Sequence, residues 1–340
     1  MTKKFPRSLC HLFMSSEFGG LEKHVMELAA WQAANKCASI AIIAHPRYRQ
    51  HCPESVRFFP LDTDRSRRNP FLLIEIVRIC RKMRFDLLHG HGGKAACVMA
   101  TVRSLMPIMH VITRHNVVHP KDRVAAHFSR RIAVSEKAIA ESSLHWEVIP
   151  NGTAAPRQRL SCPSGYDAGS RAVLAVARLV PAKGIDLLLE AWANVKPRNA
   201  LLYLVGDGPD RRKLEDLTQS FCLDGSVRFV GYSNEVDAWM QVAEFMVVSS
   251  FKEGAPYTVV EALLNRCPVI STDVGSNREV LPSEYIAQDV TAASIAMILT
   301  KALESPAGLR QVFEPVFQYA ERHLTVNAMA RATWAVYEAP

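Results

Sequence analysis

Phe245-Met-Val-Val248 and, just beyond it, Glu253-Gly-Ala-Pro-Tyr-Thr-Val-Val-Glu261 decide how this chain reads. The first is a short apolar run of the kind that forms a strand buried on both faces. In the second, Pro256 suits the first turn of a helix, where a missing N–H costs nothing. Val259, Val260, Leu263 and Leu264 then supply an apolar stripe at helical spacing. Strand, loop and helix in that order make one step of a parallel α/β sheet. Glu253 sits at the carboxyl end of the strand, where open sheets bind ligands, and Glu261 lies about a turn and a half into the helix. Carboxylates accept hydrogen bonds from neighbouring hydroxyls, so one acid can hold a sugar ring and the other a ribose. Two isolated acids would read as surface residues; here the context decides.

The same alternation runs along the chain. Strand-like runs fall at residues 8–13, 38–44, 86–89, 110–113, 131–134 and 146–149, and then at 172–177, 201–205, 227–230, 245–248 and 269–272. Helical patterns cover 21–34, 71–83, 94–105, 186–194 and 211–221. The break falls at Pro150-Asn-Gly-Thr153 and the polar stretch that follows. These patterns predict an α/β chain of two Rossmann-like doubly wound domains facing across a cleft: residues 1–152, a linker at 153–170, and residues 171–325. No solenoid repeat and no low-complexity tract interrupts them. A dinucleotide fold would want G-x-G-x-x-G after its first strand, and neither Met14-Ser-Ser-Glu-Phe-Gly-Gly20 nor Gly206-Asp-Gly208 supplies it.

A length of 340 residues suits two domains, each with its own core, and 49% hydrophobic with 22% charged residues suits a water-soluble enzyme. Cys10, Cys37, Cys52, Cys80, Cys97, Cys162, Cys222 and Cys267 are scattered without a C-x2-C pair, which favours a reducing cytoplasm over a zinc or disulfide framework. Met1-Thr-Lys-Lys-Phe-Pro6 lacks the apolar core of a signal peptide, and no apolar run approaches the roughly 20 residues of a membrane span. The charge is uneven. Residues 1–160 carry 25 Lys/Arg against 12 Asp/Glu, and residues 161–340 carry 16 against 21. A basic first half suits an anionic partner such as a membrane surface, a phosphorylated lipid or nucleic acid.

Ser249-Ser-Phe-Lys-Glu-Gly-Ala-Pro256, Glu261-Ala-Leu263 and Pro268-Val-Ile-Ser-Thr-Asp-Val-Gly275 together resemble the E-x7-E signature of retaining GT-B glycosyltransferases of family 4. The likeness extends, in the family's order, through Phe18-Gly-Gly-Leu-Glu22, Ile149-Pro-Asn-Gly152, Ala177-Arg-Leu-Val-Pro-Ala-Lys-Gly184, Leu204-Val-Gly-Asp-Gly-Pro209 and Val227-Arg-Phe-Val-Gly231. The resemblance implies a nucleoside-diphosphate sugar donor, expected in the UDP-linked form, and a cell-envelope glycan or lipid-linked acceptor. It also implies that residues 326–340 form a helix returning to the first domain.

Residue by residue, Gly19 and Gly20 match the family's G-G-x-E loop, where small residues and a helix start let a backbone approach a phosphate. Glu22 caps or orients that loop. Arg178 and Lys183, in the pattern R-x4-K-G, match the cations that stabilise the departing diphosphate. Such cations remove the need for a metal, and no cofactor is expected. Glu253 matches the acid on the donor-sugar hydroxyls, with Gly254 and Ala255 beside it; Glu261 matches the ribose acid, and Gly206 belongs to the donor loop. His115 resembles the family histidine near the anomeric carbon. His89 and His91 alternate as metal ligands can, but the sequence places no third ligand. His91 and Asn116 are assigned to the acceptor side. Ser276, Lys252 and Tyr257 depart from the usual family residues, and the latter two are read as tuning sugar choice.

Two rivals stand beside this reading. A nucleotide-sugar epimerase of the same architecture would release free nucleotide-sugar product and want a carboxylate base opposite the sugar. A nucleic-acid-binding protein would interleave stacking aromatics with its basic residues, and residues 60–84 offer only Phe71, with Phe85 next to them. The helix at 71–79 is read as a core helix, with the basic cluster around it free to meet a membrane from the cytoplasmic side.

Overall fold

The computed structural model describes residues 6–36, 38–156 and 160–339. Cys37, residues 157–159 of the expected linker, the extreme N-terminus with its reading against a signal peptide, and Pro340 lie outside the described residues. Elements follow in order as β1 (Ser8–Phe13), α1 (Gly20–Asn35), β2 (Ser39–Ala44), β3 (Arg57–Pro60), α2 (Pro70–Met83), β4 (Leu87–His91), α3 (Gly92–Val102), β5 (Met109–Arg114), α4 (Asp122–Ala125), β6 (Arg130–Ala133) and β7 (Glu147–Val148). The second half runs β8 (Arg171–Val176), α5 (Ile185–Val195), β9 (Ala200–Val205), α6 (Arg211–Ser220), β10 (Val227–Gly231), α7 (Val236–Val242), β11 (Phe245–Val248), α8 (Tyr257–Leu264), β12 (Val269–Ser271), α9 (Asn277–Val280), α10 (Ala292–Glu304) and α11 (Pro306–His323), with α12 (Val326–Glu338) closing the chain.

Contacts divide the chain into one unit of residues 1–154 with 323–340 and another of residues 155–322. Among the described residues, the first holds a parallel sheet in the order β3-β2-β1-β4-β5-β6-β7, the second a parallel sheet in the order β10-β9-β8-β11-β12. Each order reverses direction once, at β1/β4 and at β8/β11. Ligands of open α/β sheets bind beyond the carboxyl ends of the strands at such a reversal. The sequence pattern does not announce β3, whose Arg-Phe-Phe-Pro lies at a sheet edge, where a proline is tolerated but a short strand leaves little signal.

Each face of the first sheet has its own core. One packs Cys10, Leu12, Ala41, Ile43, Leu88 and Ile112 against α2 and α3. The other packs Leu9, Phe13, Ile40, Ile42, Leu87 and Val111 against α1 and, from the far end of the chain, Met329, Ala330, Trp334 and Tyr337 of α12. In α2, Leu72, Ile76, Val77 and Cys80 are buried, yet Phe71 is 71% and Ile74 62% exposed. The expectation of a plain core helix over 71–79 therefore holds for one face only, because the apolar stripe is wider than the sheet can cover. No helix among the described residues is long and apolar enough to cross a membrane.

Candidate active site

In the second unit, the reversal point brings two loops together. After β8 the chain turns through a short 3-10 segment at Pro181–Lys183 and enters α5 at Gly184. After β11 it passes Ser249 to Pro256 and enters α8. Ser249 Oγ donates to the Lys183 carbonyl (2.9 Å), and the Phe251 amide donates to the Ala182 carbonyl (3.0 Å). Gly184 has φ +60°, and a Cβ there would lie 2.2 Å from the Ser249 carbonyl oxygen. Only glycine allows that approach, so the glycine of R-x4-K-G sets the spacing between the loops.

The approach lets the Lys183 ammonium form an ion pair with Glu253 Oε1, which also accepts from Ser250 Oγ (2.8 Å). The two charged side chains are 28% and 15% exposed. They lie where solvent is thin but a ligand can still arrive. Arg178 stands exposed on the same loop, Gly254 and Ala255 form the half-buried turn ahead of α8, and Glu261 is half-buried within α8. Gly275 (φ +53°) sits so close to the Gly254 carbonyl that a Cβ would be 2.4 Å away, which ties the loop after β12 to the same turn. Tyr257 is 7% exposed and packs into the core, whereas Lys252 is exposed; the tyrosine is therefore not placed to tune a sugar.

Gly206 has a structural part in the turn after β9. Its amide donates to the Gly231 carbonyl (2.8 Å), and at φ +130° a Cβ would lie 2.0 Å from the Ala177 carbonyl oxygen. The glycine serves the close approach of the β9 turn to the β8 loop, and its amide is already engaged.

In the first unit, Gly19 caps α1, its amide donating to Glu22 Oε2 (2.7 Å); both Gly19 and Gly20 are exposed. Glu22 is 3% exposed and orients this glycine loop at the start of the helix. The sheet register does the rest. His11 pairs with His89, and His91 pairs with Thr113, so alternate residues of β1, β4 and β5 put His11, His89, His91 and Thr113 on one face, with His115 one residue past β5. His24 and Gln32 of α1 and Tyr337 of α12 come down onto that face.

The result is a continuous hydrogen-bond network whose partners assign the tautomers. Gln32 Nε2 donates to Tyr337 Oη (3.4 Å), leaving Gln32 Oε1 to accept from His11 Nε2–H (2.8 Å). His11 Nδ1 then accepts from His91 Nε2–H (3.0 Å), and His91 Nδ1 accepts from His115 Nε2–H (3.2 Å). Tyr337 O–H donates to His89 Nδ1 (2.6 Å), and His89 Nε2–H donates to Thr113 Oγ1 (2.7 Å). Packed against that network but outside its chain of bonds, His24 Nδ1–H donates to Asn151 Oδ1 (3.0 Å). Burial is the main force holding these rings neutral. It lowers His11 to about 4 despite its bond to Gln32, and His24 to about 4 despite Asn151. His89, His91 and His115 fall well below the usual histidine range, with burial first and neighbouring imidazoles adding to it.

One expectation changes here. His91 is 1% exposed with both ring nitrogens engaged, so it does not line an acceptor surface; period-2 alternation turns it into the core, as it does His89. Asn116 is exposed, but its Oδ1 accepts from the Val118 (3.0 Å) and His119 (2.7 Å) amides and shapes the loop after β5. The sequence also places no third ligand beside His89 and His91. The fold supplies His11, His24 and His115, brought from distant positions by register and helix packing. Asp62 and Asp64, a D-x-D pair that the sequence does not connect with any ligand, lie with His45 at the surface.

The model for glycosyl transferases group 1 matches residues 157–315, and that for glycosyltransferase family 4 matches residues 18–154. A lipopolysaccharide core biosynthesis glycosyltransferase of Rhizobium meliloti, LpsE, is 31% identical over 216 residues, 59% of this chain and 59% of its own length. TuaC of Bacillus subtilis, named for teichuronic acid biosynthesis, is 25% identical over 284 residues, 74% of this chain and 70% of its own length. In fold, the chain is similar to the Anabaena protein Alr3699/HepE solved with UDP and glucose, with a TM-score of 0.80 at 20% identity over 96% of this chain and 98% of that one. A Rickettsia africae glycosyltransferase gives a TM-score of 0.82 at 16% identity, covering 97% of both chains.

Proposed function

The chain belongs to the glycosyl transferases group 1 and family 4 enzymes, and from that premise we propose that it is a retaining glycosyltransferase using a nucleoside-diphosphate sugar, in UDP form, to extend a cell-envelope glycan. The observation that carries the reading is the Lys183–Glu253 pair held between the β8 and β11 loops. Without donor, each charge neutralises the other. A donor would separate them: its diphosphate takes the ammonium together with Arg178, and its sugar hydroxyls take the carboxylate. Fixed cations in a partly desolvated site stabilise the leaving diphosphate more as its charge develops, which is the source of rate. A divalent ion at the diphosphate is then not required. Glu261 is assigned to the ribose, Gly19 and Gly20 to a phosphate approach, and His115 to the donor sugar. In the retaining chemistry of the family, the acceptor attacks from the face the leaving group departs, and the phosphate oxygen takes its proton.

The relatives named for lipopolysaccharide core and teichuronic acid biosynthesis support an envelope glycan as the product class. A lipid-linked acceptor, met from a membrane surface, is supported by one patch of the first unit. Exposed Ile74 of α2 and exposed Leu105 line a groove rimmed by Arg78, Arg81 and Lys82, and exposed Phe71 lies three residues before Ile74 on the same helix. Apolar anchors within a basic rim suit an anionic interface.

The test is a thermal-shift screen of UDP, UDP-sugars and their GDP and ADP counterparts. A donor raises Tm in proportion to the logarithm of its concentration over Kd. The reading predicts a shift with UDP and one UDP-sugar that is lost in Glu261→Ala. Absence of any shift across the panel would remove it.

A further inference from the structure

The histidine network carries an arrangement in which the proposed transfer gives a role to His115 alone. One ring nitrogen each of His24, His91 and His115 lies within 4.8 Å of the others. His24 Nδ1 is held by Asn151, which leaves Nε2 as its lone-pair nitrogen. His91 Nε2–H is committed to His11, itself anchored on Gln32, so the His91 lone pair is on Nδ1. That lone pair faces His115 Nε2 at 3.2 Å. Zinc bonds to imidazole of about 2.0–2.1 Å set neighbouring ligand nitrogens about 3.3–3.4 Å apart in a tetrahedron. The His91–His115 pair therefore already stands at ligand spacing.

We propose that His24, His91 and His115 form a three-imidazole site for Zn2+, with a fourth position open beside half-buried His115. Three supports accompany the geometry. Asn151 and His11 occupy the second nitrogens of His24 and His91, the outer contacts that fix ring orientation and tautomer in metal-bound histidines. All donors are neutral nitrogens, which suit zinc and not the oxygen-seeking magnesium or calcium. The only protein bond surrendered between the three rings is the His91–His115 contact, with His115 passing its proton from Nε2 to Nδ1 through solvent and no net proton lost. The overlapping set of His11, His89 and His91 does not qualify. His89 already uses both nitrogens, on Tyr337 and Thr113, and so does His11, on Gln32 and His91.

The site rests on the first unit's geometry and not on the assigned activity, so the test reads binding without donor. The EDTA-stripped full chain is titrated with Co2+ as a spectroscopic probe, followed by Zn2+. One equivalent of Co2+ should raise a visible d–d band typical of low coordination number, and one equivalent of Zn2+ should remove it. His24→Ala and His115→Ala should abolish the band while circular dichroism stays that of the wild type. His11→Ala should weaken binding about 10- to 100-fold. His45→Ala, at the surface cluster with Asp62 and Asp64, should leave it unchanged. A band that never forms, survives both His24→Ala and His115→Ala, or disappears with His45→Ala overturns the proposal. Should either ligand variant misfold, Asn151→Ala decides in its place through its expected loss of metal affinity, since it acts on the ring orientation of His24; unchanged affinity in that variant overturns the proposal equally.

Discussion

The two units hold their polar chemistry in opposite ways. All twelve histidines lie outside residues 155–322. In the first unit, five of them meet beneath a helix, and they are tolerated there because an imidazole can be buried neutral: both nitrogens of His11, His89 and His91 and one each of His24 and His115 are matched with a donor or acceptor. In the second unit, the chemistry is ionic, and it stays at loop ends where Lys183 and Glu253 remain partly solvated. A fully buried ion pair would face a desolvation cost that its attraction does not reliably offset. One region fixes geometry through neutral hydrogen bonds; the other keeps charges that can change partners.

Acid should break this contrast first and most strongly. Folded His11 and His24 sit at about 4 against an ordinary 6.5, so the native state favours their neutral forms. Their contribution is complete above pH 6.5 and is lost as pH falls toward 4, because the unfolded chain binds the protons more readily. A drop of that size corresponds to roughly 3 kcal/mol for each ring. Thermal unfolding in EDTA should therefore lose stability steeply between pH 6.5 and 4 in the first unit, with the second unit, lacking histidine, far less affected over that window. Parallel behaviour of both units, followed by Trp31 and Trp334 in one and Trp192 and Trp239 in the other, would contradict it.

Lys183→Ala tests the ionic region. Loss of a cation from the departing diphosphate should reduce kcat by about a hundredfold or more, equivalent to roughly 3 kcal/mol in barrier. Tm should move little, since exposed or half-exposed ion pairs contribute little to folding. Arg178→Ala should act in the same direction. Unchanged kcat in both variants would remove the diphosphate assignment.

What the sequence shows of each region follows from the same contrast. Most strands and the helices between them follow from apolar runs and helical stripes, which are local signals, whereas edge strand β3 and the order of strands in each sheet are set by packing. The pairing of Lys183 with Glu253 across 70 positions can be anticipated only through a resemblance, since no spacing announces it; the Gly184 approach makes it possible. The histidine network is the least legible part. His11, His24, His91 and His115 are scattered, and only parallel register and the packing of α1 and α12 bring them together. Alternation alone does not say which face of a central strand is covered by which helix, and for that reason the sequence places His91 at a surface that the fold closes.

Glu261→Ala should have the next effect, confined to binding. A hydrogen bond from a ribose hydroxyl to a charged group is worth about 1.5–3 kcal/mol, or roughly 10- to 150-fold in the Kd for UDP. Calorimetric titration with UDP reads it directly. A loss of kcat with UDP affinity intact would move Glu261 from the nucleotide to the reacting sugar.

Tyr337→Phe probes the neutral region by the smallest change available, one oxygen. The phenol accepts from Gln32 and donates to His89 Nδ1, all three groups being buried. Removing it leaves an amide proton and a ring nitrogen without partners, at a cost of about 1–3 kcal/mol. His89 can lessen that cost by rotation or tautomer change only by giving up Thr113 on its other side. The variant should thus lower Tm by several degrees while leaving kcat near wild type, the reverse of Lys183→Ala. If instead kcat fell and Tm held, the network would be transmitting to the reaction, and the division between a neutral scaffold and an ionic reaction site would not stand.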